Sequence, residues 1–215
     1  MKDSHSVKLV WITPDAEKIV AMLARVSAPE NQGNHETAPR LIGYLIRNKH
    51  WSPFEMASMC VEIETTRDIG RQLIRHRSFS FQEFSQRYSD VSKLDKAPLR
   101  DARMQDPKNR QNSIVSDDEG LRLWWLREQS AIRSRALDGY DQAIERGIAK
   151  EVARAVLPEG LTTSRLYMAG TIRSFLHFVE VRADHGTQRE TQAIARQVKD
   201  ILAEHCPAIM EAFEK

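Results

Sequence analysis

The sequence predicts an α+β fold in which helices pack on a largely antiparallel sheet, within a single domain spanning residues 1–215. Short segments that alternate apolar and polar side chains, such as 60–65, indicate half-buried strands. Longer segments with apolar residues at helical spacing follow capping residues and outnumber the strands. No internal repeat, low-complexity tract or linker divides the chain, so we expect one domain.

Local start and stop signals delimit the elements in the first third of the chain. Residues 7–12 are predicted to form a strand, and Thr13 is predicted to cap a helix that has Pro14 at its first position. A polar loop is predicted over 28–37. The next predicted elements are a helix over 39–49, a short helix capped by Ser52 and Glu55, a strand over 60–65 and a helix over 66–75.

The rest of the chain is predicted to be mainly helical. Residues 78–84 are predicted to be irregular and 85–91 to form a strand. The polar segment 92–113, broken by two prolines, is predicted to be a mobile or inserted loop. The elements predicted beyond it are a long helix from a cap at 116–119 to about residue 146, a helix over 150–156, a strand over 161–171, a helix over 172–182 with Phe175, Phe178 and Val179 inward, and a last helix capped by 187–190 that ends before Pro207.

Composition indicates an ordinary globular protein and excludes few function classes. Apolar residues make up 41% and charged residues 29%, and the net charge of +2 is too small by itself to indicate a nucleic-acid partner. Apolar runs are too short for a membrane span, and the first residues lack a signal-peptide segment, so we expect a cytoplasmic protein with no membrane partner. Cys60 and Cys206 are expected to be reduced thiols.

The most informative segment is Arg75-His76-Arg77, which is followed after seven residues by Ser85. Residues 51–92 contain no lysine but five arginines: Arg67, Arg71, Arg75, Arg77 and Arg87. A single arginine here would be explained by the dipole at a helix C-terminus. Five favour an anion site instead, because the planar guanidinium matches two oxygens of a phosphate or carboxylate.

A second set of arginines lies downstream, at Arg154, Arg165, Arg173 and Arg182. Arg154 and Arg182 fall in otherwise apolar helical stretches. A charge in that position is usually ion-paired or reaches solvent along its stem. The functional alternative is that both side chains point into a cleft.

Several kinds of site are not supported by any motif. The sequence lacks HExxH, HxH and CxxC, which argues against a metal site, and it lacks both GxGxxG and GxxxxGK[ST]. Ser85 is not in a GxSxG elbow. The residues alone therefore predict an arginine-rich cleft for phosphate-bearing groups without an obvious nucleophile. Such chemistry usually belongs to an organic cofactor.

Four ordered segments resemble the motifs of the flavin-dependent thymidylate synthases, the ThyX family. Residues 75–85 match its RHRx7S signature, and 50–55 resembles its H-x-[ST]-P-F-E segment. Residues 151–158 resemble E-x-A-R-x-x-L-P, and 182–188 resembles R-x-D-x-x-A-Q. The resemblance extends over most of the chain and implies a single ThyX-type domain.

The family resemblance implies a reaction and an assembly. The reaction is reductive methylation of dUMP to dTMP, with 5,10-methylenetetrahydrofolate as carbon donor, NADPH as reductant and FAD as cofactor. The assembly is a homotetramer whose active sites are shared between subunits. The resemblance also implies that no cysteine acts as nucleophile and that the partners are dUMP and folate rather than a nucleic acid.

The same resemblance implies roles for individual residues. FAD would contact His50, Ser52, Arg75, His76, Arg77, Glu83, Thr171, Arg173 and His177. The substrate dUMP would be held by Gln72, Arg75, Glu83, Phe84, Ser85, Gln86, Arg87, Arg154 and Arg182. Arg154 would meet the phosphate, and Arg182 would be the catalytic residue that stabilises the uracil anion when N3 loses its proton. A guanidinium suits that task because it does not itself deprotonate.

The sequence departs from the family pattern at a few positions. Asparagine occurs in relatives at Gln82, Thr171 and His177, and His185 comes one position earlier than expected, with Thr187 in place of alanine. These departures concern the downstream FAD contacts rather than the reaction class. Two alternatives remain open: a noncatalytic nucleotide- or RNA-binding protein whose arginines hold a phosphodiester backbone, and a family member that acts on another pyrimidine nucleotide.

Overall fold

The computed structural model describes residues 5–215 and confirms the α+β architecture. The strands within these residues are β1 (Ser6–Ile12), β2 (Ser58–Thr66), β3 (Ser80–Glu83), β4 (Arg103–Gln105), β5 (Ser113–Val115) and β6 (Thr163–Thr171). The main sheet has the order β1-β2-β6-β3, and every neighbouring pair in it is antiparallel, as predicted. Strands β4 and β5 form a separate antiparallel pair.

Helices supply the other layer of the fold. The α-helices in residues 5–215 are α1 (Ala16–Ala24), α2 (Ala38–Arg47), α3 (Arg67–Leu73), α4 (Glu119–Glu145), α5 (Lys150–Ala153), α6 (Ile172–Arg182), α7 (Arg189–His205) and α8 (Pro207–Phe213). Short 3-10 turns occur at Pro29–Asn31, Ser52–Glu55, Val91–Lys93, Arg154–Val156 and Glu159–Leu161. None of the helices in the described part of the chain is both long and apolar enough to cross a membrane.

The core lies between the central strands of the main sheet and the apolar faces of the helices. Strand β2 contributes Val61 and Ile63, and its neighbour β6 contributes Leu166, all with no exposed surface. Phe175 and Phe178 of α6 are also fully buried, which confirms the inward face predicted for that helix. Burial of each such side chain stabilises the fold by ~1.5–3 kcal/mol. The helix that ends at Arg182 is therefore held rigidly on the sheet.

Two helix caps predicted in the first third of the chain do not form. The Thr13 hydroxyl donates to the Ser58 carbonyl at 3.1 Å and accepts from the Ser58 amide at 2.9 Å. It therefore joins the ends of β1 and β2, and α1 begins later, after Asp15. No side-chain cap forms at Ser52, which is the first residue of a 3-10 turn, and Glu55 makes an ion pair with Arg173 at the start of α6.

The structure also corrects the predictions for residues 78–113. The segment predicted to be irregular contains β3, which pairs with β6 from Ser80 opposite Ala169 onward. The strand predicted over 85–91 is a turn, in which the Ser85 carbonyl accepts from the amides of Tyr88 and Ser89. The predicted loop over 92–113 contains β4 and begins the strand β5 that pairs with it. Its polar composition concealed this short strand pair.

Beyond residue 113, some predicted helix bounds and caps are confirmed and others are wrong. The long helix α4 is confirmed, and Asp118 caps it by accepting from the Leu121 amide at 2.9 Å. Thr187 does not cap α7; its hydroxyl donates to the Val181 carbonyl near the end of α6. The additional helix α8, which the sequence pattern did not predict, begins at Pro207.

Gly170 allows the arginine-rich segment to approach the sheet closely. A Cβ atom at this position would lie 2.5 Å from Cδ1 of Phe79, which is too close for any side chain. The Phe79 ring packs edge-on against Phe175 of α6, with 4.8 Å between ring centroids. The residues just after α3 are thereby fixed against both β6 and α6.

Candidate active site

The Arg75-His76-Arg77 segment meets Arg182 within one chain. Arg182 lies at the end of α6 and donates its Nε–H to Nε2 of His76 at 2.8 Å. The His76 ring also packs edge-on against Phe178, with 5.2 Å between ring centroids. Burial, followed by the positive charges of Arg182 and His177, lowers the pKa of His76, which favours the neutral ring that can accept this hydrogen bond. The geometry thus joins the RHRx7S segment, residues 75–85, to the motif segment 182–188.

A second contact joins α3, which precedes the RHRx7S segment, to the segment 182–188 through side-chain amides. Gln72 of α3 donates from Nε2 to Oε1 of Gln188 at 2.5 Å. The hydroxyl of Thr191, in the first turn of α7, donates to Oε1 of Gln72 at 2.8 Å. Gln72 therefore has a fixed amide plane, as a residue that reads the edge of a base requires.

The motif segment 151–158 contacts a residue that follows RHRx7S. Arg87 approaches Glu151 with its Nε and Nη2 atoms both 3.3 Å from Oε2. Both side chains are more than half exposed, so this pair adds little to stability. Arg154, half-buried at the start of a 3-10 turn, has no side-chain partner within the described residues. Its guanidinium remains available for an anion.

The motif segment 50–55 lines a cleft beside the start of α6. The cleft has a volume of about 370 Å³, and its walls include Trp51, Glu55, Ser78, Arg173 and His177. The hydroxyl of Ser174 donates to the Ser78 carbonyl at 3.3 Å, which ties this cleft to the arginine-rich segment. His177 is exposed and lies 3.6 Å from Glu180.

The residues predicted to contact FAD fit a diphosphate-bearing ligand. Arg75 and Arg77 are exposed, and neither guanidinium has an acidic partner in residues 5–215. Free guanidinium groups suit a diphosphate, because each can donate two parallel hydrogen bonds. His50 and Ser52 are also exposed, and the His50 ring stands edge-on to Tyr44. Thr171 differs from these residues, because its hydroxyl caps α6 by accepting from the Ser174 amide.

The residues from Glu83 to Gln86 lie between the sheet and the turn that follows β3. Ser164 donates to Oε1 of Glu83 at 2.8 Å, and Arg67 lies 3.7 Å from the same oxygen. The Phe84 amide donates to the Arg165 carbonyl, continuing the β3–β6 pairing by one residue. Gln86 is almost fully buried, and its Nε2 has no hydrogen-bond partner within residues 5–215. An unpaired buried amide nitrogen is costly, so it favours a bound acceptor at this position.

The structure therefore brings some predicted site residues together and leaves others apart. His76, Gln72 and Arg87 contact the downstream segments directly. In the described part of the chain, five predicted residues with polar side chains that are not buried form no side-chain hydrogen bond or ion pair: His50, Ser52, Arg75, Arg77 and Arg154. These five leave much of the site open in one chain.

An ionic network behind the site was not predicted from the sequence. Arg100 binds both carboxylate oxygens of Asp68, at 2.8 and 2.7 Å, and Arg103 donates to Glu190 at 2.6 Å. The only sequence signals were Asp68 and Glu190, the acidic residues in the first turns of α3 and α7. Local rules explain both as favourable contacts with the helix dipole. The two arginines come from the segment that was predicted to be a loop.

Metal ligands and thiols have little part in this arrangement. No group of three His, Cys, Asp or Glu side chains in residues 5–215 is placed to hold a metal ion. Cys60 and Cys206 are both free and buried. Burial raises the pKa of Cys60, and burial together with the Glu17 charge raises the pKa of Cys206 to about 12. Both thiols are therefore protonated at neutral pH.

Comparison with known proteins places these features in a family. Residues 8–208 match the family described as Thymidylate synthase complementing protein. A probable flavin-dependent thymidylate synthase of Paramecium bursaria Chlorella virus 1 is 45% identical over 216 residues, which cover 97% of this chain and 99% of that protein. The flavin-dependent thymidylate synthase of Synechocystis sp. is 44% identical over 198 residues, which cover 92% of this chain and 89% of the relative.

A solved structure shares the whole fold. The crystal structure of the UMP/dUMP methylase PolB from Streptomyces cacaoi, bound with 5-Br dUMP, superposes with a TM-score of 0.85. It is 31% identical in sequence, and the match covers 98% of this chain and 94% of PolB. The four motif segments, the contacts between them and these similarities agree. The chain belongs to the Thymidylate synthase complementing protein family, that of the flavin-dependent thymidylate synthases.

Proposed function

We propose that this protein catalyses the reductive methylation of dUMP to dTMP with the help of FAD. The observation that carries the proposal is the hydrogen bond between Arg182 and His76, because it brings the motif segments 75–85 and 182–188 to one place. The relatives that are 44–45% identical are named flavin-dependent thymidylate synthases, and PolB is named a UMP/dUMP methylase. A noncatalytic nucleotide- or RNA-binding role is not favoured.

Arginines bind the two charged parts of the substrate in this proposal. Arg154 binds the dUMP phosphate, since its guanidinium has no partner within the described chain. Arg182 uses Nε to contact His76 and keeps both NH₂ groups available for the uracil. These donors hold the negative charge that develops when N3 loses its proton. The interaction strengthens along the reaction, so it lowers the barrier rather than only tightening binding.

A second group of residues holds the cofactor. Arg75 and Arg77 bind the FAD diphosphate, while Arg173 and His177 line the cleft beside it. His50 and Ser52 flank Trp51, which also lines that cleft, and contact the cofactor from there. When bound, FAD supplies the redox chemistry that no side chain of this protein can supply. NADPH is the reductant and 5,10-methylenetetrahydrofolate the carbon donor in this proposal.

We further infer a cytoplasmic homotetramer built from one domain per chain. The long helix α4 has only Gln129 and Tyr140 among its buried residues, while Leu123, Trp124 and Ile132 are about half exposed. A helix with so much exposed apolar surface favours contact with another subunit. Arg75, Arg77 and Arg154 have no side-chain partner in the described part of the chain, which favours sites completed by a neighbouring chain.

The proposal is tested by analysing the purified protein and its product. We expect a yellow protein with flavin absorbance that converts dUMP, methylenetetrahydrofolate and NADPH into dTMP, identified by mass spectrometry. UMP is tested in parallel, because the name of PolB includes UMP. Methylation of UMP alone would assign another substrate, and no nucleotide product from a flavin-loaded sample would contradict the proposed reaction. Light scattering measures the assembly, and a strictly monomeric, fully active protein would contradict the tetramer.

A further inference from the structure

Glu190 is a buried carboxylate that the structure holds in its charged form. Its side chain is 10% exposed, and Arg103 donates to Oε1 at 2.6 Å, while Nε of Arg100 lies 3.9 Å from the same oxygen. Burial opposes ionisation, but Arg103, the helix amide, Gln188 and Arg100 together lower the pKa of Glu190. The ionised carboxylate can only accept hydrogen bonds.

The negative charge of Glu190 fixes the orientation of two side-chain amides, first that of Gln188 and through it that of Gln72. Gln188 must present its NH₂ group to Glu190, and the Nε2–Oε2 distance is 3.0 Å. Its carbonyl oxygen therefore faces Gln72, which must present its own NH₂ group in return. The Oε1 atom of Gln72 is left to accept from the Thr191 hydroxyl. A flip of either amide would set two donors or two acceptors against each other.

The consequence for a ligand lies in the atoms of Gln72 that remain free. One N–H of its NH₂ group and one lone pair of Oε1 have no partner among the residues that the structure describes. Their positions relative to the rest of the site depend on which way the amide is turned. Uracil and cytosine have the same shape but exchange a carbonyl and N–H for an amino group and a bare nitrogen at positions 4 and 3. An amide of fixed orientation can distinguish them.

We propose that Glu190 is a positioning residue that fixes the orientation of the Gln72 amide through Gln188, and thereby sets the preference for uracil over cytosine. This inference rests on the proposed function, and it adds that the free atoms of the Gln72 amide contact the pyrimidine of dUMP. It assigns roles to Glu190, Gln188 and Arg103, none of which touches the substrate in the proposal.

The segment 92–113 supplies the positive charges that balance the Glu190 carboxylate. Arg103 begins β4, and the backbone of Arg100 is held on both sides by the Gln129 side chain of α4, with distances of 2.9 and 2.8 Å. Arg100 also binds Asp68 in the first turn of α3, the helix that carries Gln72. The segment therefore braces both helices that meet at the Gln72–Gln188 contact, instead of lying on the surface as a free loop.

The test is the Glu190→Gln variant, which keeps the shape of the side chain but can either donate or accept. Affinities of flavin-loaded protein are measured by calorimetry for dUMP, dCMP and 2-deoxyribose 5-phosphate. We expect the ratio of dUMP to dCMP affinity to fall by about fivefold to tenfold, the range expected for one correctly paired hydrogen bond. Affinity for 2-deoxyribose 5-phosphate should not change, because it has no base.

A second variant and a control separate positioning from general destabilisation. Gln188→Leu breaks the connection while leaving the Glu190–Arg103 pair, so it should reduce the same ratio even if Glu190→Gln folds poorly. Glu64→Gln is the matched control, because Glu64 pairs with Arg165 across β2 and β6 and is not connected to Gln72. It should retain the wild-type ratio.

The outcomes distinguish this inference from the function on which it rests. A wild-type ratio in folded Gln188→Leu, or equal losses for all three ligands in both variants, would overturn the positioning role while leaving the proposed function intact. If the wild-type protein binds no dUMP, the proposed function fails and this inference fails with it.

Discussion

Arg182 donates its Nε–H to Nε2 of His76 across 2.8 Å, and this contact determines the state of both side chains. His76 must be neutral, with its proton on Nδ1, because a doubly protonated ring has no acceptor. Arg182 is held at one edge and keeps its two terminal NH₂ groups free. The pair therefore orients the guanidinium while a histidine of lowered pKa avoids a second positive charge beside it.

The protein should lose stability through His76 as the pH falls below about 6.5. The pKa of His76 is lowered in the folded protein, so between the folded value and 6.5 the unfolded chain binds more protons. Stability therefore rises with pH in that window, and the loss stops growing below the folded pKa. In His76→Gln, the amide oxygen can still accept from Arg182 but does not titrate.

The measurement is urea unfolding of the wild-type and His76→Gln proteins between pH 5 and pH 8. The difference in unfolding free energy should shift in favour of the variant as the pH falls, while other histidines cancel in the comparison. A difference that is constant across this range would show that His76 titrates normally in the folded state.

Arg77→Ala should lose flavin, because the exposed Arg77 guanidinium has no partner among residues 5–215 and is available for the diphosphate. The absorbance of the purified variant at flavin wavelengths measures this directly. Arg71→Ala is the control, since Arg71 is also exposed but lies 3.3 Å from Glu159. Stoichiometric FAD at wild-type affinity in Arg77→Ala would remove Arg77 from the cofactor site.

No cysteine should take part in methyl transfer. Burial raises the pKa of Cys60, and with the Glu17 charge it raises the pKa of Cys206 to about 12, so neither is a ready thiolate nucleophile. A Cys60→Ala/Cys206→Ala double variant that folds should keep its turnover. Native protein should also resist alkylation at neutral pH. Complete loss of turnover in a folded, flavin-loaded double variant would contradict a mechanism without cysteine.

Gly170→Ala should destabilise the protein by ~1–3 kcal/mol, the usual cost of overpacking. The added methyl group would lie 2.5 Å from Phe79, whose ring is packed against Phe175 and cannot withdraw freely. Gly33→Ala is the control, because nothing lies within 4 Å of a Cβ atom there. Chemical unfolding measures both. An unchanged unfolding free energy in Gly170→Ala would mean that the aromatic cluster yields easily.

The sequence predicted the elements whose signals are local. The helix over 172–182 has the predicted bounds and the predicted buried face, because both depend on apolar spacing alone. Strand β3 was missed because four residues give too short a pattern, and its pairing with β6 is a contact between residues distant in sequence. Thr13 was misassigned for the same reason: its partner, Ser58, is 45 residues away.

The candidate site divides in the same way. Arg75, His76 and Arg182 were recognisable from motifs, because the chemistry requires these residue types at fixed spacing. The network of Arg100, Arg103 and Glu190 was not, since each residue has an ordinary local explanation and only the fold brings them together. Sequence motifs identified the groups proposed to touch ligands, while the residues that position those groups became visible only in three dimensions.

Arg182 and Arg154 should fail in different ways when replaced. The charge of Arg182 matters most when the uracil anion forms, so Arg182→Ala should cut turnover at saturating dUMP by ~10²-fold or more, with FAD retained. Arg182→Lys should restore only part, since an ammonium lacks the second edge that contacts His76.

Arg154→Ala should instead weaken dUMP binding, because a phosphate contact is the same in the ground state and the transition state. Turnover at saturation and dUMP affinity are measured for both variants, with Arg71→Ala as a control for loss of a surface arginine. If Arg182→Ala changes only affinity and Arg154→Ala changes only turnover, the roles are reversed. Because Arg182 also holds His76, unfolding free energies of both variants must accompany the kinetics, so that lost folding is not counted as lost catalysis.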